Sequence, residues 1–125
     1  MRLHRTLTPI VFTLLLLFWP ALVHADFQTG MDAYDRHDYA TALKEWRPLA
    51  EQGDADTQIN LGINYSKGQG VPQDNVQAQM WWNLAAAQNQ EGSTKLRAAL
   101  AEKMTHEQIA EAQRLAREWL AQHQK

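Results

Sequence analysis

The sequence predicts an all-α protein: a short α/α superhelical array of helical hairpins, about six helices in all, behind an N-terminal signal peptide. Beyond Asp26, apolar residues recur three and four positions apart, and no stretch sustains the alternation of a strand. Residues that start or stop helices, among them Asp38, Gly53, Asp54, Gly68, Asp74 and Thr105, fall at the ends of these periodic runs. The chain also resembles itself at a fixed offset, the mark of stacked units.

The first segment differs from the rest of the 125 residues. Arg2, His4 and Arg5 precede an apolar run from Pro9 to Val23 that only Thr13 interrupts, and the run ends at Val23-His24-Ala25. A basic start, a short apolar centre and this ending describe a secretory signal peptide, residues 1–25, cut after Ala25. The alternative is a retained N-terminal anchor in the inner membrane. Against it, the run holds about 14 apolar residues where a bilayer asks for about 20, and Pro20 would end a helix inside it. With no cysteine there is no site for a lipid anchor and no disulfide, so helix packing must supply the stability. The expected location is periplasmic or secreted. Removing Arg2 and Arg5 leaves ten basic against fourteen acidic residues, a net charge near −4. Nucleic acid, which asks for a basic footprint, is not an expected partner. Nor is stable membrane insertion expected once the signal segment is gone.

The helices follow in order. Phe27 to Arg36 is expected to form a short first helix presenting Phe27, Met31 and Tyr34 to the second. Asp38 opens that second helix, in which Tyr39, Ala42, Leu43, Trp46, Leu49 and Ala50 recur at helical spacing. It should kink at Pro48 and stop at Gly53. Asp54 caps a third helix, about Ala55 to Lys67, carrying Ile59, Leu61, Gly62 and Tyr65. Gly68-Gln69-Gly70-Val71-Pro72 cannot continue it. Asp74 with Gln77 reads as a capping box for a fourth helix, with Ala78, Trp81, Trp82 and Ala85 on one face. That helix runs into Asn89, a residue tolerant of the left-handed cap. From Ser93, Leu96, Ala99 and Leu100 line a fifth helix that breaks at Met104-Thr105. Thr105 and Gln108 form a second capping box, and the last helix carries Ala112, Leu115, Ala116 and Trp119 to about Gln122.

At an offset of 36, Asp38 falls on Asp74, Ala42 on Ala78, Trp46 on Trp82, Ala50 on Ala86 and Gly53 on Asn89. Tyr34 meets Tyr65 at an offset of 31, the first unit lacking the glycine-rich loop. The run Leu61-Gly62-x-x-Tyr65-x-x-Gly68-x-Gly70-Val71-x-x-Asp74-x-x-x-Ala78-x-x-Trp81-Trp82-x-x-Ala85-Ala86 resembles the Sel1-like repeat, a relative of the tetratricopeptide repeat. On this reading residues 26–125 are one repeat domain. It comprises a degenerate unit over 27–53, a full unit over 55–89, and C-terminal capping helices over 93–122. The resemblance implies a superhelical scaffold, commonly exported in bacteria, that mediates protein–protein contacts. Gly62, Gly68, Gly70, Asp74, Ala78 and Ala85 are the structural positions of the motif, kept small or turn-forming so that helices approach closely.

No set of side chains points to catalysis. His106-Glu107 begins like a zinc-protease helix, but Ala110 stands where the second histidine would be. His37 and His123 have no nucleophile arranged with them, and the glycine-rich loop has no following Gly-Lys-Ser/Thr. No catalytic residue, metal ligand or cofactor is expected. Tryptophan is abundant, and adjacent Trp81 and Trp82 point about 100° apart on a helix. One can therefore be core while the other borders a groove. Tyr65, Trp81 and Trp82 are the candidate protein-binding residues. The expected function is an exported helical-repeat scaffold for protein–protein interaction in the cell envelope. The alternative is a small envelope hydrolase or peptidoglycan-active accessory protein, which would need ionisable groups converging in a cleft.

Overall fold

The computed structural model describes residues 25–124; the expected signal segment, Ala25 apart, lies outside them. The described residues form six helices and no strand: α1 (Phe27–Asp35), α2 (Tyr39–Glu51), α3 (Ala55–Lys67), α4 (Asn75–Ala86), α5 (Glu91–Ala101) and α6 (His106–His123). The chain is an all-α helical repeat array.

Short polar side chains set the helix starts. Asp26, Asp38, Asp54 and Asp74 each accept from a backbone N–H in the first turn of the helix they precede. At Asp38, hydrogen bonds from the Thr41 side chain and backbone hold the carboxyl below its ordinary value. Thr105 and Gln108 close a complete capping box at α6. The box expected at Asp74 is only half made. The Asp74 N–H already donates to the Tyr65 carbonyl at 2.9 Å, closing the glycine-rich loop, so Gln77 has no donor to receive. Gly68 ends α3 in the left-handed region, φ 69°. Asn89 takes the same region at φ 64°, matching Gly53 at φ 99° in the preceding unit. Pro48 lies within α2, which continues to Glu51.

The hairpins are α1 on α2 and α3 on α4, with α2 on α3 joining the two units. Ala33, Ala42 and Trp46 form the core of the first hairpin, flanked by Met31 and Tyr34. A second core runs from Leu43 and Ala50 on α2 through Leu61, Met80, Trp81 and Leu84 to Ala112 and Ala116 on α6. One core therefore spans the second unit and both its neighbours.

The last two helices do not make a third hairpin. Each packs on α4, and they pack little on each other. Ser93 is the only buried residue of α5, and Ala99, expected on its inner face, is exposed. Leu96 and Leu100, the large apolar side chains of α5, are only half-buried, and α4 is the helix that supports it. The α6 helix covers α4 through Trp119, which meets Trp81 edge-on at 6.3 Å between ring centroids. Its outer face carries Arg114 between Glu111 and Glu118, all solvent-exposed or half-exposed.

Candidate interaction surface

Two tryptophans and two glycines hold the hairpins shut. Trp82 lies flat enough against α3 that a Cβ at Gly62 would sit 2.3 Å from its Nε1. The same indole N–H donates to the Ile59 carbonyl at 3.0 Å. In the first unit Trp46 does the same. A Cβ at Gly30 would sit 2.2 Å from its Nε1, which donates to the Phe27 carbonyl at 3.1 Å. A residue without a side chain lets the ring reach the backbone, and the carbonyl three positions earlier satisfies the buried N–H. This latch fixes the true register of the repeat. Gly30 corresponds to Gly62 at an offset of 32, so Tyr34 falls on Ser66 and not on Tyr65 as the aromatic match suggested.

The latch also decides the fate of the candidate binding residues. Trp81 and Trp82 are each only 4% exposed. Trp82 is committed to α3, and Trp81 packs in the central core toward α6. Both rings lie largely against protein, and Trp82 also borders a groove lined by Ser66, Leu96 and Leu100. Tyr65 is half-buried; its hydroxyl accepts from Arg47 of α2 at 3.3 Å and its carbonyl from Asp74. Trp82 closes its own hairpin, Trp81 meets α6, and Tyr65 joins the second unit to α2. Gly62, Ala78 and Ala85 are buried, Gly68 and Gly70 have positive φ, and Asp74 caps α4.

The open surface lies elsewhere. The C-terminal ends of α2, α4 and α6 converge on a groove of about 490 Å³. Leu84 forms its buried floor, and Trp119 and Leu120 its apolar wall. Among the described residues Leu120 is one of two large apolar side chains that are exposed, at 36%. The His123 ring stacks on Trp119 at 3.9 Å between centroids and is held by a 2.7 Å contact from its Nδ1 to the Trp119 carbonyl. Amides line the opposite rim. Gln88 donates to the Gly53 carbonyl at 2.8 Å and to buried Gln58 at 3.1 Å, while Gln58 donates to the Ala50 carbonyl. The groove thus offers an apolar wall facing a rim of amides, suited to a side chain entering beside polar main chain. Sequence reasoning placed Trp119 on the core face and left His123 just beyond the last helix. The available signal was their spacing of four, with Leu120 lying off the Ala112–Leu115–Ala116–Trp119 stripe.

Among the described residues no three of His, Cys, Asp or Glu cluster as metal ligands. No described helix is long and apolar enough to cross a membrane.

Residues 55–90 match the family model of the Sel1 repeat. Among solved structures the chain is similar to a protective antigen present in uropathogenic Escherichia coli strains that displays an SLR fold, at 28% identity and a TM-score of 0.70. The match covers 78% of this chain and 22% of that protein, so this chain spans about a fifth of its length. No curated protein matches this chain. The matched residues 55–90 span the α3–α4 glycine–tryptophan hairpin, so this hairpin is a Sel1 repeat within an all-α helical repeat array of the SLR type.

Proposed function

We propose that the mature chain, exported and cut after Ala25, is an envelope scaffold that holds a segment of a partner protein in the groove between the ends of α2, α4 and α6. The observation that carries this reading is Leu120, exposed beside the Trp119–His123 stack on a helix whose other large outward side chains are charged or polar. An apolar side chain held open next to an aromatic pair is the composition of a binding anchor. The rim amides Gln52, Gln88 and Gln124 suit the main chain of an extended segment. A mature net charge near −4 favours a partner segment carrying basic residues.

The test is site-specific photocrosslinking in the envelope, from position 120 and from position 114 on the charged outer face. With a third crosslinker at position 88 on the rim, the reading expects one discrete adduct each from positions 120 and 88, none from 114, and loss of the position-88 adduct when Leu120→Asp is introduced. Unchanged capture by Leu120→Asp with unaltered helix content would overturn it.

A further inference from the structure

The start of the fold is held in an unusual way. The Asp26 side chain caps α1, accepting from the Gln28 N–H at 2.9 Å and from the Thr29 hydroxyl at 3.1 Å. The Asp26 main-chain nitrogen points elsewhere: it donates to Glu45 Oε2 on α2 at 2.9 Å, across 19 positions of sequence. Glu45 is half-buried and makes no ion pair with any Lys or Arg among the described residues. Its neighbour Arg47 donates to Tyr65, and Lys44 is exposed. The next residue, Trp46, receives the Phe27 carbonyl with its indole. Two adjacent side chains of α2 therefore grip the first two residues of the folded chain, and one of them is a carboxylate spent on a single neutral N–H.

We infer that the Ala25–Asp26 bond is the processing site and that Glu45 is the receptor for the new amino terminus. The inference rests on the export reading above. Hydrolysis by a membrane-bound endopeptidase consumes one water. The Ala25 carbonyl carbon gains the hydroxyl and leaves as a carboxylate, and the Asp26 nitrogen gains protons to become an ammonium. That ammonium already lies at hydrogen-bond distance from Glu45, so cutting converts a neutral hydrogen bond into an ion pair. The positive end of the α1 dipole opposes a cation there, and the carboxylates of Glu45 and Asp26 offset it. The first turn of α1 contributes no acidic residue to do so. Cutting even two residues further in would remove both the cap and the pair.

Two measurements separate the parts of this inference. The intact mass of the full chain after expression with export should correspond to residues 26–125. A chain retaining the first segment overturns cleavage, and a different first residue overturns the processing site. Independently, a chain released at Asp26 from a removable fusion is compared with its N-acetylated form and with Glu45→Gln. An amine whose pKa is raised by a folded-state carboxylate stabilises fully below its unfolded value, about 7.7–8.0, and loses that contribution as pH rises through the folded value. The melting temperature of the free-amine chain, relative to the acetylated one, should therefore fall by about 1–4 °C between pH 6.5 and 9.5. Glu45→Gln should flatten that difference. An equal difference with Glu45→Gln rejects the pairing while leaving export standing.

Discussion

The two hairpins use one latch and two different loops. In the first, Gly30 and Trp46 are 16 residues apart, and α1 turns into α2 through three residues, Arg36 to Asp38. In the second, Gly62 and Trp82 are 20 residues apart, and seven residues from Gly68 to Asp74 join α3 to α4. The four extra residues do not alter the latch; they reach back to the unit before. Gly70 packs against Leu43 and Tyr39 of α2, where a Cβ would approach 2.7 Å and 3.0 Å. Gln69 accepts from the Tyr34 hydroxyl at 2.8 Å and donates to that of Tyr39 at 3.4 Å. The glycine-rich loop is thus an inter-unit device. The first unit has no such loop: the three residues Arg36 to Asp38 join α1 directly to α2.

The largest effect should come from filling the latch. Gly62→Ala places a methyl within the Trp82 ring in the central unit, where α3, α4 and the shared core cannot separate without losing one another. Overpacking of this kind costs typically 1–3 kcal/mol, and about 3 kcal/mol is expected here. Gly30→Ala meets an equally close Trp46. Yet α1 packs mainly on α2, with Met31 and Tyr34 reaching α3 and the glycine-rich loop, and can lift away more easily than α3 or α4, so about 1–2 kcal/mol is expected. Denaturant melts of both variants check the order. Equal losses would mean that the end unit is as rigid as the central one.

Much of this comparison was legible in the sequence, and the reasons for the rest are physical. The bounds of α3 were read as Ala55 to Lys67 because an aspartate cap and a left-handed glycine mark them locally. The latch of the first unit was not read. A tyrosine matched to a tyrosine looks like better register than a glycine matched to a glycine, although only the glycine has a ring lying on it. The direction of Trp82 could not be had from spacing, since both rings of a Trp-Trp pair can be buried when the helix is covered on two sides. The groove at Leu120 depends on three helix ends meeting, and no one segment of the chain records that. For the same reason the cap formed by α6 covers Trp81, whereas spacing alone would equally allow it to cover Trp82.

A second substitution isolates the loop. Gly70→Ala would meet Leu43 and Tyr39 while holding φ near 78°, a conformation that costs a non-glycine residue about 1–2 kcal/mol. Both hairpins keep their latches, so the loss, about 2 kcal/mol, should fall on the seam between units. Hydrogen exchange separates this from general destabilisation. Amides of α1 and α2 should lose more protection than those of α4 and α6. Uniform loss would show that the loop supports the second hairpin and not the junction.

The smallest test concerns the short turn that takes the place of the loop. His37 holds φ 61°, the left-handed region that the second unit assigns to Gly68 and Gly70. Its ring compensates in part through a 2.8 Å hydrogen bond between Nδ1 and the Tyr39 hydroxyl. His37→Ala keeps the backbone strain and loses the bond, for a cost of about 0.5–1 kcal/mol at an exposed site. His37→Gly loses the same bond but relieves the strain. It should therefore melt above His37→Ala by an amount equivalent to about 1 kcal/mol, after the greater freedom of glycine in the unfolded chain is set against the relief. If the two variants melt together, the turn is not strained at His37, and the three-residue connection is as relaxed as the glycine-rich loop it stands in for.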